Sequence, residues 1–528
     1  MWIGARIYRS SVSRICLIAL LSLTAAVAIV HTTSNGPCIT PDSARYIDMA
    51  RNLLAGRGFS DWSRMTPGLI EPERHWPPFY PMVIAPLLAL GIDGTTAVRW
   101  LGVSFFAATL FLCTFIIVRH TGSLWAGAAG LLVLATNKGL FEAHCFSESE
   151  QPFIFCTMIA LLALGAYVAH PRSRPLLLAA VAAGLAFLAR QAGLALLGVG
   201  VVGILFFNKS IPLKRRVINA GIFFILALLP MGLWMTRNAI IWGHSVDRPL
   251  AYHTIPLATL RGGLDTFADW IVPGMKSAPS KLAILVVAAL VVLGIAVLFQ
   301  RRRSSPAEPS RRTLLHVSLR ILSLYVVAYS AMLFGMICLF DVNLPLDRRL
   351  TLPIFVPAAV AVVCAAFFAT IGKPLLRIVL AAGCIVLVGL HMAEDRRWIL
   401  WRLRVGMGYE AGVWRKSPTL AYVRSLPPTA VIYSNEEMAI NYFTQRGAAR
   451  VPEIRSVYTM RPKDQTLLEH EVEEVVKRMS GREGSCIVYF KNVNDKFHCM
   501  ATPTQLGEML PLRSIAVFPD GAVYGIKR

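Results

Sequence analysis

Long runs of apolar residues, separated by short polar segments, fill the first three quarters of the chain. About 20 residues at a rise of 1.5 Å each cross the hydrocarbon core of a bilayer, so each such run predicts a membrane-spanning helix. About eleven are expected, at residues 15–31, 100–118, 122–137, 152–169, 175–189, 192–207, 216–236, 281–299, 318–340, 351–370 and 376–393. The pattern therefore predicts an α-helical polytopic membrane protein, with the two short runs beside Arg190 as its least regular spans.

The composition agrees with a membrane protein and excludes several other classes. Of 528 residues, 55% are hydrophobic and 16% charged, whereas an average soluble protein carries about 25% charged residues. An ordinary soluble enzyme, a disordered chain, a collagen and a disulfide scaffold are all excluded on composition. The first apolar run follows several arginines, as in a signal peptide, but no cleavage site of small residues follows it. We expect this run to be retained as a span.

The placement of the basic residues predicts the orientation. The chain has 53 Lys and Arg against 30 Asp and Glu, a formal charge of +23. The basic clusters lie between alternate spans, at Arg6–Arg14, Arg119–His120, His170–Arg174, Lys209–Arg216, Arg301–Arg312 and Lys373–Arg377. By the positive-inside rule these loops and the N-terminus are cytoplasmic, and the intervening loops and everything after about residue 394 face outward. No basic stretch has the interleaved aromatic residues of a nucleic-acid binder, so no nucleic-acid partner is expected.

The composition changes at Glu394, which divides the chain into a membrane domain, 1–393, and a soluble domain, 394–528. The second part has short β-like runs at Ala430–Tyr433 and Cys486–Tyr489 and a helical stretch around Leu467–Met479, which predict a small extracytoplasmic α/β domain. Its two cysteines, Cys486 and Cys499, would form a disulfide in an oxidising compartment or remain thiols.

The first outer loop, 32–99, carries the most informative local pattern. Thr40 suits a helix N-cap, Pro41 suits the first helical position, and Gly56 suits the end of the helix. Apolar residues recur at helical spacing between Tyr46 and Leu53. This loop is therefore expected to contain a short helix lying along the membrane interface.

Asp42 falls in the first turn of that helix, where the free amides and the dipole favour an ionised carboxylate. Arg45 and Tyr46 follow on nearly the same face. A carboxylate beside a guanidinium at the bilayer edge suits a reaction between a hydroxyl and a lipid phosphate. The alternative is ordinary capping, with Arg45 as a surface charge. The other acids of the loop are expected to form a solvated surface: Asp48, Asp61, Glu71 and Glu73.

At this point the motifs resemble a known superfamily. The text reads Asp42-Ser-Ala-Arg45-Tyr46, then Ala50-x-x-Leu53-x-x-Gly56-x-Gly58-Phe59, then Pro77-Pro78-Phe79-Tyr80-Pro81. It resembles the C-type (GT-C) glycosyltransferases, most closely the protein O-mannosyltransferases and the lipid A aminoarabinose transferases. Further similar segments extend the resemblance over about residues 10–370: Ser149–Phe153, Gly184–Arg190, Trp234–Asn238 and Asp347–Pro353.

The resemblance implies an inverting transfer of a sugar from a polyprenyl-phosphate donor at the outer face of a bacterial inner membrane. The acceptor would be a lipid, a glycan or a protein. Asp42 would be the base, with Glu150 in support. The donor phosphate would be bound by arginines, namely Arg45, Arg348, Arg349, Arg190 and Arg237. The substrate loop would contribute Tyr46, His75 and Tyr80. No cofactor is required, although Asp42 and Glu150 together would suit a divalent cation.

Several alternatives stay open at this stage. Glu148 also lies near the second acidic site, but only Glu150 fits the family spacing. Relatives carry Lys or His before the paired prolines, where this chain has Trp76, with His75 one position earlier. Arginines at span ends often anchor helices in the head groups, and a lone His is often an interfacial residue. A transporter or flippase of a lipid-linked sugar, or a silent scaffold, would also explain a multispan chain.

Overall fold

The computed structural model describes residues 2–243, 250–301, 309–491, 493 and 499–527. Within these residues the part of the chain before residue 406 is almost entirely helical. Its helices are α1 Trp2–Thr32, α2 Pro41–Leu54, α3 Phe79–Ala89, α4 Gly94–Thr121, α5 Leu124–Ala135, α6 Lys138–Cys145, α7 Glu150–Ala169, α8 Ser173–Ala189, α9 Leu194–Val202, α10 Leu213–Trp242, α11 Leu257–Asp269, α12 Ala278–Arg301, α13 Pro309–Leu339, α14 Arg348–Ala369 and α15 Pro374–Val405.

The predicted class, a helical multispan membrane protein, is confirmed. In the described part of the chain eight helices are long and apolar enough to cross a membrane, and nine if α5 and α6, bent by 61°, form one span. These eight coincide with eight of the predicted runs. The runs at 175–189 and 192–207 are also helical, but α8 has only 17 residues. The figure of eleven spans therefore stays a prediction.

Small residues let the central helices approach closely. Helix α8 packs between α7 and α10. A Cβ at Gly184 of α8 would lie 3.0 Å from the carbonyl oxygen of Ala227 and 3.2 Å from Pro230 Cγ, both on α10. Glycine at this position therefore permits backbone contact between the two helices, as is typical of helix pairs in membranes.

Helix α2 forms where the sequence predicts it. Thr40 is the N-cap, and Thr40 and Ser43 make the reciprocal hydrogen bonds of a capping box. However, nine of its fourteen residues are buried, and they lie on all faces of the helix. The prediction of a single apolar face is wrong, because α2 is enclosed by α3, by the outer loop and by the C-terminal domain. Its location along the membrane interface stays a prediction.

The acids of the first outer loop are mostly buried, so the predicted solvated surface is also wrong. Strands β1 Ser60–Trp62 and β2 Ile70–Pro72 form an antiparallel hairpin beside α2. Asp48, Asp61 and Glu73 are 3%, 1% and 6% exposed, while Glu71 is half-buried. Each of the three buried acids forms an ion pair with an arginine, and burial of a charge requires such a partner.

The C-terminal part forms a small α/β domain, as predicted. Its helices are α16 Gly412–Arg415, α17 Pro418–Ser425, α18 Glu437–Thr444, α19 Gln465–Met479 and α20 Pro503–Met509. Its strands are β3 Ile432–Ser434, β4 Ala449–Arg450, β5 Cys486–Phe490, β6 Leu512–Phe518 and β7 Gly521–Ile526. The sheet order is β4-β3-β5-β7-β6, with β3 parallel to β4 and β5, and β7 antiparallel to β5 and β6.

Two expectations about this part are refined. Helix α15 continues past Glu394 to Val405, so the composition change lies inside a helix; the domain boundary stays a prediction. Cys486 and Cys499 are both buried, and no disulfide joins them in the structure.

Backbone hydrogen bonds dock the C-terminal domain on the first outer loop. The amide of Gly68 donates to the carbonyl of Gly447 at 2.7 Å, and the amide of Arg450 donates to the carbonyl of Arg64 at 2.8 Å. The amide of Tyr409 donates to the carbonyl of Ile39 at 2.8 Å, just before α2. The domain thus helps to hold α2 in place.

Candidate active site

Three carboxylates and two arginines meet at the start of α2 and α7. They are Asp42, Glu148, Glu150, Arg190 and Arg349, here named the carboxylate cluster. Asp42 comes from the first turn of α2, Glu148 from the loop before α7, Glu150 from the first residue of α7, Arg190 from the residue after α8, and Arg349 from the first turn of α14. Residues more than 300 positions apart in sequence therefore form one site.

Arg349 contacts all three acids. Its Nη2 lies 3.4 Å from Asp42 Oδ2, its Nε lies 2.9 Å from Glu148 Oε2, and the same Nε contacts Glu150. The Asp347 side chain caps the start of α14 by accepting a hydrogen bond from the Leu350 amide at 3.0 Å. This N-cap fixes the first turn of α14 and thereby directs Arg349 into the cluster.

Glu150 is held from a second side by Arg190. Arg190 Nη1 lies 2.5 Å from Glu150 Oε1 and donates a hydrogen bond to Ser149 Oγ at 3.3 Å. Glu150 is only 2% exposed in its side chain, so both guanidiniums are needed to compensate its burial. This acid is therefore built into the wall of the site.

Glu148 is buried too, but with less charge compensation. Its Oε1 accepts a hydrogen bond from Thr40 Oγ1 at 2.9 Å, and its side chain is 4% exposed. Burial, together with the nearby Glu150 and Asp42 carboxylates, raises the pKa of Glu148 to about 8, although Arg349 acts in the opposite direction. This pKa favours the protonated form of Glu148 at neutral pH.

Asp42 is the accessible acid of the cluster. Its side chain is 33% exposed and that of Arg349 is 39% exposed, against 4% and 2% for the two glutamates. Both exposed groups line a cavity of about 610 Å³, here named the acidic cavity, together with Thr40 and Arg348. A substrate entering this cavity would meet a carboxylate and a guanidinium side by side.

The predicted tyrosines support the cluster from behind. Tyr46 and Tyr80 are buried and pack edge to face, with ring centroids 5.4 Å apart. The Tyr46 hydroxyl donates to Ser149 Oγ at 3.2 Å, and the Tyr80 hydroxyl donates to Gln151 Oε1 at 3.2 Å. These contacts connect α2 and α3 to the start of α7, which gives both tyrosines a positioning function.

Arg348 lies at the edge of the acidic cavity. Its Nη2 is 2.6 Å from Asp269 Oδ2, and its Nη1 is 3.7 Å from Glu142 Oε2. Its side chain remains 28% exposed. It therefore lies beside Arg349 at the mouth of the site, and its binding of phosphate stays a prediction.

Arg45 does not join Asp42, although the two are neighbours on α2. Its Nη1 pairs with Asp61 at 2.9 Å and with Glu73 at 3.3 Å, and its guanidinium stacks on Trp76 at 4.4 Å. With a side chain 4% exposed, Arg45 neutralises the buried acids of the outer loop. The helical spacing predicts Arg45 beside Asp42 only if the acids of the outer loop are solvated and leave Arg45 unpaired.

The remaining predicted residues also lie outside the cluster. Arg237 Nη2 donates to the carbonyl of Phe59 at 2.9 Å, and its Nη1 donates to Asn238 Oδ1 at 2.8 Å and to the carbonyl of Glu73. It therefore braces the outer loop against α10. His75 packs against Trp76, with ring centroids 4.5 Å apart, at a second cavity between the loop and the C-terminal domain.

In the described residues there is no group of three or more His, Cys, Asp or Glu side chains arranged to hold a metal ion. Between Asp42 and Glu150 the guanidinium of Arg349 occupies the position where the sequence suggests a cation. The expectation of a divalent cation stays untested.

The sequence pattern favours Glu150 over Glu148 and predicts Thr40 only as a helix N-cap, so it did not identify these two residues as part of the site. The family spacing favoured Glu150, but Arg349 binds both glutamates, and Thr40 connects Glu148 to α2. The available signal was the pair of glutamates two positions apart on either side of Ser149, immediately before a predicted span. Its significance requires the position of Arg349, which lies about 200 residues later.

The family model for dolichyl-phosphate-mannose-protein mannosyltransferases matches residues 75–234. No curated protein matches the chain in sequence. Among solved structures, ArnT from Cupriavidus metallidurans bound to undecaprenyl phosphate matches at a TM-score of 0.50 and 16% identity, over 96% of this chain and 97% of that one.

Two further structures agree. The arabinofuranosyltransferase AftD from Mycobacteria matches at a TM-score of 0.53 and 16% identity, over 96% of this chain and 41% of that one. The oligosaccharyltransferase AglB from Archaeoglobus fulgidus, in complex with an inhibitory peptide and a dolichol-phosphate, matches at 0.50 and 12% identity, over 97% and 74%. This chain has the C-type glycosyltransferase fold. The resemblance predicted from its motifs is confirmed.

We expect Arg45→Gln to destabilise the C-type fold, because it leaves two carboxylates buried without a cation. Breaking a buried pair in this way costs about 3–5 kcal/mol. The thermal unfolding of the purified protein would be compared with that of Lys477→Gln, whose parent side chain is 79% exposed. An Arg45→Gln protein as stable as this control would contradict the structural role of Arg45.

The raised pKa of Glu148 predicts a pH dependence of stability. In the unfolded chain this carboxyl ionises near 4.5, whereas in the folded protein it keeps its proton up to about pH 8. The folded state then binds one more proton, so its stability falls as the pH rises from about 5 to 8 and levels off above that.

The Glu148→Gln variant cannot ionise at this position and should lack this component of the slope. Melting temperatures of both proteins, measured across that range, test the expectation. Parallel curves for wild type and variant would show that Glu148 is already ionised at neutral pH.

Proposed function

We propose that this chain transfers a glycosyl group from a polyprenyl-phosphate donor to an acceptor hydroxyl at the outer face of a membrane. The observation that carries the proposal is the accessible pair Asp42 and Arg349, side by side in the acidic cavity of a C-type glycosyltransferase fold. A carboxylate can accept a proton, and a guanidinium can bind two phosphate oxygens at once.

The donor class is supported by chemistry and by fold. A polyprenyl tail needs a bilayer, and the long apolar helices of this chain supply a membrane setting. ArnT, which shares the fold, has been solved with undecaprenyl phosphate. In our proposal the donor phosphate binds Arg349 and Arg348 at the mouth of the acidic cavity.

The reaction is a single displacement. The acceptor oxygen attacks the anomeric carbon of the sugar and loses its proton to Asp42. The bond between that carbon and the phosphate oxygen breaks, and its electron pair stays on the departing polyprenyl phosphate, whose charge Arg349 neutralises. The configuration at the anomeric carbon inverts, and no covalent intermediate with a carboxylate is needed. No step of this proposal involves a metal ion.

The buried members of the cluster position the two reacting groups. Glu150, with Arg190 behind it, holds the Nε edge of Arg349 and leaves its Nη atoms directed to Asp42 and the cavity. Glu148 binds Thr40, which caps the helix that carries Asp42. We infer that both glutamates are positioning residues.

The orientation is supported by the positive-inside pattern, which leaves the loops that bear Asp42, Glu150 and Arg349 on the side opposite the basic loops. The same side would carry the C-terminal domain, which contacts the first outer loop. We propose a bacterial inner-membrane location with a cytoplasmic N-terminus.

Removal of the base should abolish transfer without unfolding the protein. We expect Asp42→Asn to lower the rate of sugar transfer by about 10²–10⁴-fold and to leave the melting temperature near that of wild type. Asp464→Asn is a matched control, because Asp464 also lies at a helix start but is exposed on the C-terminal domain. Transfer at a near-normal rate by the Asp42→Asn protein would remove Asp42 as the base.

Removal of Arg349 should weaken donor binding. We expect Arg349→Ala to raise the KM for a polyprenyl-phosphate sugar at least tenfold, because its guanidinium is the exposed cation beside Asp42. Initial rates over a donor titration in proteoliposomes measure this. An unchanged donor KM would exclude Arg349 from the phosphate site.

A further inference from the structure

A second cavity, of about 640 Å³, lies between the first outer loop and the C-terminal domain. We name it the interdomain cavity. Arg45, Arg64 and Trp76 line it from the loop, and Arg450 and Tyr458 line it from the domain. Nothing in the proposed chemistry at Asp42 uses this space.

Arg64 is the distinctive residue of the interdomain cavity. Its guanidinium stacks on Trp76 at 4.6 Å, and its Nε is buried with no hydrogen-bond partner among the described residues. Burial and the nearby Arg45 and Arg450 guanidiniums lower the pKa of Arg64 to about 10. A half-buried cation with a buried, unpartnered Nε and two other cations nearby is an unfavourable arrangement that an anion would relieve.

The nearest acids are already used by other cations. Glu73 pairs with Arg45 through Oε2, while its Oε1 accepts hydrogen bonds from the amides of Arg74 and His75 at 2.8 and 2.6 Å. Glu437 pairs with Arg450 at 2.8 Å. In the part of the chain that the structure describes, no carboxylate forms an ion pair with Arg64.

The other acids of the wall are mostly paired as well. Three of them form ion pairs within the C-terminal domain: Glu453 with Arg450, Glu471 with Lys463 and Glu474 with Arg478. Asp61 pairs with Arg45, and half-buried Glu71 forms no ion pair with a described residue. Two cations of the wall, Arg64 and the exposed Arg455, form no ion pair with a described residue, and Arg64 is the less exposed of the two.

The interdomain cavity and the acidic cavity both reach α2. Asp42 lines the acidic cavity and Arg45 lines the interdomain cavity. Residues three apart on a helix have their Cβ atoms about 5–6 Å apart. The two cavities are therefore lined by residues one turn apart on the same helix.

We propose that the interdomain cavity binds the acceptor of the transfer reaction through an anionic group, a phosphate or a carboxylate, held by Arg64. The identification of the bound molecule as the acceptor rests on the proposed function. The binding of an anionic sugar can be measured independently of that function. Tyr458 and His75, whose rings lie 6.1 Å apart, border the space left for the sugar ring.

The test uses the full-length protein in detergent, without donor. Binding of glucose 1-phosphate, glucuronate and methyl glucoside would be measured by equilibrium dialysis. We expect both anionic sugars to bind and the neutral one to bind at least tenfold more weakly; the ratio of the two anions tells phosphate from carboxylate. Arg64→Gln should weaken anion binding at least tenfold, and Arg64→Lys should restore most of it.

A control variant and a comparison separate this site from the others. Arg424→Gln, at an exposed position of the C-terminal domain, should bind like wild type. Loss of binding in Arg349→Ala but not in Arg64→Gln would place the anion in the acidic cavity and overturn the proposal. Equal binding of methyl glucoside would overturn it too.

A spectroscopic measurement covers the case in which Arg64 variants fail to fold. Because Arg64 stacks on Trp76, anion binding should change tryptophan emission in wild type and not in Trp76→Phe. An identical emission change in both proteins would contradict binding at Arg64.

A kinetic measurement tests the acceptor assignment. In transfer assays, glucuronate, which has no phosphate, should inhibit without raising the donor KM. A raised donor KM would show competition at the donor phosphate site and refute the assignment. Near-normal sugar transfer by the Asp42→Asn protein would instead contradict the proposed reaction, and the anion binding measured by dialysis would still hold.

Discussion

The structure of the site depends on one guanidinium shared by three carboxylates. Arg349 joins the starts of α2, α7 and α14, which are separated by long apolar helices. Two of the carboxylates are buried. Arg349 and Arg190 compensate their charge, and the raised pKa of Glu148 lowers the charge to be compensated. The third, Asp42, stays accessible. Arg349 therefore joins these helices and is also the cation next to the proposed base.

A second set of buried charges serves the architecture. Arg45 neutralises Asp61 and Glu73 inside the outer loop, and Arg450 neutralises Glu437 where the C-terminal domain meets that loop. These pairs use most of the carboxylates between the two parts, and Arg64 is left without one among the described residues. Arg349 is partly exposed at a cavity and is therefore available to a substrate. Arg45 is enclosed and therefore has a structural role.

The sequence predicted the helical membrane class, the α2 N-cap and the α/β nature of the C-terminal part, since apolar runs and capping residues are local signals. Through the family motifs it also predicted that one site contains Asp42, Glu150, Arg190 and Arg349. It could not predict that Arg45 turns away from Asp42. That depends on Asp61 and Glu73, whose burial follows from a hairpin and a distant domain covering α2. The raised pKa of Glu148 could not be predicted either, because burial is a tertiary property.

The most direct test of the central claim, that Arg349 holds the phosphate of a lipid donor beside Asp42, is mass spectrometry of the lipids that co-purify with the protein. The account predicts a polyprenyl phosphate or its sugar ester with the wild-type protein, and its loss from Arg349→Ala purified in the same way. The Arg424→Gln control should retain it. An equal amount of this lipid on the Arg349→Ala protein, or its absence from wild type, would contradict the account.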